Sequence, residues 1–161
     1  VIDDIRVNLF LEAQQCQIFK NFINSISSDN PITAYPVENI DVTTSIEIKE
    51  KLDNGEILFI AGDRTSAHNE NATFTSKFLG QKMGFPIGAF KFALILGAPI
   101  YFIVCTAEKN NKYKIHLKKF EFQGSRQERL VELEKQYVKF LEDLTKKYPL
   151  QFYHFYDLFL E

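Results

Sequence analysis

Two cysteines in 161 residues cannot make a disulfide framework, and they do not have the spacing of metal ligands. Cys16 falls in a helical pattern and Cys105 in an apolar strand pattern, so both are expected as buried thiols of a reducing compartment. No G-x-S-x-G elbow, P-loop or G-x-G-x-x-G fingerprint is present, which removes the common nucleophile and phosphate-cradle signatures. No His, Cys, Asp and Glu cluster has metal-ligand spacing, and there is no internal repeat or low-complexity linker. A formal net charge of −2 argues against a dedicated nucleic-acid binder.

What is there is an ordinary globular balance, 45% apolar and 25% charged, in a chain long enough to bury a core without staples. Charge is divided unevenly. Residues 1–60 hold 10 acids and 4 bases, a net −6, and residues 61–161 hold 11 acids and 15 bases, a net +4. The second part is the side expected to face an anionic ligand or membrane. The chain opens on Val1 rather than Met, without a basic-then-apolar leader, and reads as a piece of something longer that carries no signal peptide.

Periodicity predicts strands at Ile5–Phe10, Thr33–Val37, Ile57–Ala61, Ala72–Leu79, Pro99–Thr106 and Tyr113–Phe120. It predicts helices at Glu12–Ser27, from a Thr44-x-x-Glu47 capping box to Asn54-Gly55, at Pro86–Leu96 with Gly97 as its cap, and at Ser125–Lys147. The last is amphipathic, with Leu130, Leu133, Tyr137, Phe140, Leu141 and Leu144 on one face, and Pro149 ends it before an aromatic tail. Ile57–Ala61 and Pro99–Thr106 are apolar on both faces, as central strands are. The alternation predicts one α/β domain, mixed, with a largely parallel central sheet and helices on both faces. Phe85–Cys105 has a single charge, Lys91, over a membrane-span length, but Gly97 and Pro99 break it into a buried helix and a buried strand.

The sharpest chemical signal is Ala61-Gly62-Asp63-Arg64-Thr65, directly after an apolar strand. Ligands gather at the carboxyl ends of strands in open α/β sheets, and Asp63, Arg64 and Thr65 there offer an acid, a two-pronged guanidinium and a hydroxyl to a polar or phosphorylated substrate. A solvated turn with Asp63 paired to Arg64 is the plainer alternative. His68 stands in the same loop, as a substrate contact or a surface histidine. His116 and Glu121 have acyltransferase His-x4-acid spacing, but five steps along a strand put them on opposite faces, so the pair reads as a decoy. His154, among aromatics, reads as a packed residue. Lys112, Lys114, His116 and Lys118 alternate and share a face, either one that attracts anionic head groups or an acidic carrier protein, or a solubilising one.

Several blocks in order carry a resemblance. Gly55–Thr65, Phe78-Leu79-Gly80, Phe85-Pro86-Ile87-Gly88-Ala89-Phe90, Gly97-Ala98-Pro99-Ile100-Tyr101 and Tyr148–Asp157 resemble the bacterial lipid A biosynthesis (lauroyl/myristoyl) acyltransferase family, nearest its predicted glycolipid and aryl-polyene acyltransferase branch. The resemblance implies a lysophospholipid acyltransferase-like α/β fold, incomplete at its N-terminal side, with residues 1–161 as the C-terminal portion of a single acyltransferase domain. It implies transfer of a fatty acyl chain from acyl carrier protein or coenzyme A to a lipid or glycolipid acceptor, with no cofactor beyond the thioester co-substrate. It places such a protein in the cytoplasm, peripheral to the inner membrane face. The family's His-x4-Asp/Glu base would lie upstream of Val1, so no catalytic residue is assigned within the chain. Asp63, Arg64, Thr65 and His68 would bind substrate, and Phe78 and Phe85 would line the acyl pocket. The competing reading is a non-catalytic α/β module that binds a lipid, an acyl carrier or a partner protein. Oligomeric state is left open.

Overall fold

In the computed structural model the described residues are 5–26, 31–62, 73–153 and 159. The chain divides into two units, Val1–Ala61 and Gly62–Glu161. It is a mixed α/β protein, with four α-helices among the described residues, and its described strands pair as three sheets.

The first unit runs β1 (Val7–Leu11), α1 (Ala13–Ile26), β2 (Ile32–Pro36), α2 (Val42–Asp53) and β3 (Ile57–Ile60). Its sheet is parallel, in the order β2-β1-β3, with Val7 opposite both Ile32 and Ile57. β1 is therefore the central strand. Phe10 and Asn8 are buried on one of its faces, and the Asn8 side-chain amide donates to Glu56 at 2.9 Å and to the Ile57 carbonyl at 3.3 Å, tying β1 to the start of β3. The apolar run of β3 lies at an edge, with Ile57 46% and Phe59 42% exposed. Its composition matches a central strand, but its side chains alternate between exposed and half-buried, so only one of its faces is covered.

The start of α2 also differs from the expected capping box. Asp41 is the N-cap, and its carboxylate accepts from the Thr44 backbone N–H at 2.8 Å. Thr44 is thus the third helical residue, and Glu47 is free to work elsewhere. It accepts from the Tyr35 hydroxyl at 2.8 Å and pairs with Lys51 at 2.8 Å, which fixes α2 on the sheet face that carries Tyr35. The hydrogen bond from Lys51, and then that from Tyr35, holds the Glu47 carboxyl below its ordinary value of 4.5. Burial pushes the Tyr35 phenol up.

The second unit begins with a hairpin of β4 (Thr73–Phe78) and β5 (Gln81–Pro86). Leu79 and Gly80 connect them with φ of 51° and 89°, the left-handed pair that a two-residue hairpin turn requires. β5 was not expected, because Gly84 and Pro86 are poor strand formers. Consequently α3 starts later than expected and covers Gly88–Leu96, with Gly97 closing it at φ 68°. Pro99 leads into β6 (Tyr101–Glu108), which pairs antiparallel with β7 (Lys112–Lys119). α4 (Arg126–Lys147) opens on a full capping box between Ser125 and Glu128.

Two adjoining clusters form the core of this unit. Phe78, Met83, Phe85 and Val138 make one, and Phe90, Phe120, Leu130 and Leu133 the other. Phe74 and Tyr137 pack against both. The β6–β7 hairpin departs from the expectation, for Lys112 and Lys114 are exposed but His116 and Lys118 are half-buried and β6 is covered on one face only. Phe102, Thr106, His116 and Lys118 face inward, while Tyr101, Ile103, Cys105, Tyr113, Ile115 and Leu117 face outward and are exposed. Cys105 is therefore an exposed thiol, and only Cys16 is buried as expected.

Two predictions follow from this packing. Leu133→Ala should lower the unfolding free energy by about 2–5 kcal/mol, and exposed Val131→Ala should stay within about 0.5 kcal/mol, both read by urea denaturation. Glu47 has a depressed folded pKa, so its contribution is present above its ordinary value of 4.5 and is lost as pH falls through the folded value. Glu47→Gln should therefore be less stable than the parent at neutral pH, with the gap in urea midpoint closing as the solution is acidified.

Candidate functional site

The order β2-β1-β3 means that the chain leaves β1 on one side and returns to pair on its other side. At such a reversal the carboxyl ends of the central strand and the returning strand flank a crevice where ligands bind in open α/β sheets. Here those ends are Leu11 of β1 and Ile60 of β3. Ala61, Gly62 and then Asp63 follow β3 in the chain. Asp63, Arg64, Thr65 and His68 themselves lie outside the described residues, as does His154.

Gly62, the last described residue before Asp63, belongs to the second unit and is held there. The Tyr137 hydroxyl donates to the Gly62 carbonyl at 2.8 Å. The Tyr137 ring in turn packs edge-on against Phe102, Phe90 and Phe85, with centroids 4.7, 5.1 and 6.0 Å away. The segment that leads into Asp-Arg-Thr is thus moored to an aromatic cluster on α4, α3, β5 and β6. Tyr137 was visible in the sequence only as one residue of an apolar helix face, since its partner is a backbone carbonyl that no motif marks.

Phe78 and Phe85 are fully buried in that same core. Phe85 stacks on Phe74 at 5.4 Å and meets Phe78 edge-on at 5.9 Å, and Phe78 lies 5.5 Å from Phe152. Packing accounts for both side chains. Neither lines the groove described next.

That groove, open and about 400 Å³, runs between β4 and α4. Phe74, Val131 and Val138 give it an apolar floor, and Glu134, Lys135 and Lys139 a charged wall. Burial pushes the Glu134 carboxyl up, against the opposing pull of Lys91. The mixture suits an amphipathic ligand better than a simple ion. In the sequence Glu134, Lys135 and Lys139 look like a solvated helix face, and only the neighbouring strand makes them a wall.

His116 and Glu121 do not form a pair. His116 Nε2 lies 2.9 Å from Thr106 Oγ1 with its ring 5.5 Å from Tyr148, and Glu121 lies 3.8 Å from Lys119. Among the described residues no group of His, Cys, Asp and Glu is arranged to hold a metal ion, and no helix is long and apolar enough to cross a membrane. No protein-family model and no curated protein matches the chain.

The mooring can be tested directly. Tyr137→Phe keeps the rings and removes the bond to Gly62, and should cost about 0.5–1.5 kcal/mol. Phe85→Ala empties a fully packed site and should cost about 3–5 kcal/mol, both by urea denaturation.

Proposed function

We propose that the chain is the substrate-binding, C-terminal portion of an acyltransferase that moves a fatty acyl group from acyl carrier protein or coenzyme A to a lipid or glycolipid acceptor. The observation that carries this reading is the sheet order β2-β1-β3, in which β3 ends beside the central strand and runs on into Ala-Gly-Asp-Arg-Thr. Right-handed crossovers running in opposite directions, β1 to β2 and then β2 to β3, would put α1 and α2 on opposite faces, as the family resemblance implies. The parallel first sheet would then be part of a larger, largely parallel one.

In this reading Arg64 grips an anionic part of the substrate, Asp63 and Thr65 orient it, and His68 is a further substrate contact. The acceptor hydroxyl attacks the thioester carbonyl while a histidine base takes its proton, and the thiol of the carrier leaves. The family resemblance implies that this base would lie upstream of Val1, and the separation of His116 from Glu121 is in keeping with that. The excess of basic residues after residue 60 suits an anionic carrier or the inner membrane face, where such an enzyme would work peripherally.

The test is ligand-dependent thermal stabilisation of the chain. A fatty acyl-CoA should raise the melting temperature more than free CoA does, and the double variant Asp63→Ala with Arg64→Ala should lose the difference. No shift with either compound would sink the reading and favour a module that binds a partner protein. Acyl transfer catalysed by these 161 residues alone would contradict the upstream base.

A further inference from the structure

The outer edge of β6 is a strand edge with both ends closed and its middle open. In the β6–β7 ladder the Phe120 N–H bonds to the Ile100 carbonyl at 3.0 Å, so the even-numbered residues of β6 exchange bonds with β7. The backbone groups of Tyr101, Ile103, Cys105 and Ala107 therefore point the other way. At one end Gln151 satisfies Ala107 completely: its side-chain oxygen accepts from the Ala107 N–H at 2.7 Å, and its nitrogen donates to the Ala107 carbonyl at 2.9 Å. At the other end stands Pro99, which has no N–H to offer. Between them Tyr101, Ile103 and Cys105 have no such partner among the described residues. Their side chains lie on the exposed hairpin face with Tyr113, Ile115 and Leu117, which are 74%, 64% and 61% exposed.

We propose that this open edge pairs with the same edge of a second copy of the chain, β6 against β6 antiparallel, about a two-fold axis through Ile103. Three features select a second copy. The open stretch is symmetric about Ile103, so Tyr101 of one copy meets Cys105 of the other and Ile103 meets Ile103, making about six backbone hydrogen bonds. Residues 101–107 carry no charge, so two copies meet there without repulsion, and the joined outer face is apolar across Ile103, Cys105, Ile115 and Leu117, with Lys119 beside Tyr101 at its margin. The opposite edge, β7, carries Lys112, Lys114, Lys118 and Lys119, which would repel a copy of itself. Pairing on one edge alone closes at two copies. Gln151 and Pro99 also fix the register, because sliding either way would put a filled or donorless position opposite an open one. The contact is small beside the roughly 800 Å² per partner of a standard stable interface, so association should be weak and concentration-dependent. This inference does not rest on the acyltransferase reading.

The test is sedimentation equilibrium of the full chain over a concentration series, with two variants. The average mass should rise from one chain towards two and go no further, and Ile103→Lys should hold it at one chain while the circular dichroism stays unchanged. A second variant, Ile103→Cys in a Cys105→Ser background, brings two thiols to facing positions whose Cα atoms are about 5.5 Å apart, within disulfide reach. Mild oxidation should convert it to a covalent dimer that reduction reverses. A mass that stays at one chain throughout, or absence of the disulfide, would overturn the proposal. So would association that folded Ile103→Lys leaves intact. Should Ile103→Lys fail to fold, the cysteine variant decides alone.

Discussion

The phenol of Tyr137 is the point on which the second unit depends. Its ring is shared by Phe85, Phe90 and Phe102, which come from β5, α3 and β6, and its hydroxyl holds the carbonyl of Gly62. An aromatic ring with a polar tip is what such a place needs. The ring edge and faces satisfy three neighbours in the edge-on geometry that their quadrupoles favour, and the half-buried hydroxyl finds an acceptor. Leucine would fill the volume without placing the segment that leads to Asp63. Phe85, Phe90 and Phe102 join in one core because their rings are arranged around such a centre.

Much of the secondary structure was legible, because the cues that carry it are local. Alternation marked β1 and β7, the apolar face from Leu130 to Leu144 marked α4, and Gly97 closed α3. The misreadings were tertiary. Gly84 and Pro86 hid β5, whose strand geometry comes from its pairing with β4. Asp41 outcompeted Thr44 for the cap of α2 because Glu47 had Tyr35 and Lys51 to bind. The apolarity of β3 and β6 said nothing about which face would be covered. Of the candidate site, Asp-Arg-Thr was legible as chemistry after a strand. Neither the mooring by Tyr137 nor the groove beside Glu134 was, since each needs two elements distant in sequence.

The hairpin β6–β7 shows how polarity and exposure part company. His116 and Lys118 face inward because Thr106 and the Phe120 ring give them partners there, with the Lys118 ammonium 5.9 Å from that ring. A lysine stem covers apolar surface while its head reaches outward, so a basic alternation need not be a solvent face. The aliphatic residues are left on the other side, where a two-stranded sheet supplies no cover of its own.

The two units also differ in how they are joined. In the second, β4 meets β5 across Leu79 and Gly80, and β6 meets β7 across a short turn with Asn110 and Asn111 at positive φ. In the first, β1 pairs with β2 and β3 only after whole helices have intervened, with Val7 meeting Ile57. Loop closure must precede such pairings, so local hairpins form early and parallel crossovers late. On a ribosome the order of appearance is the opposite of the order of ease. The N-terminal unit emerges first, yet β1 waits for β3 to be synthesised before its second edge is satisfied. Its exposed interval during synthesis is therefore set by the rate of translation through α2, rather than by the intrinsic speed of strand pairing.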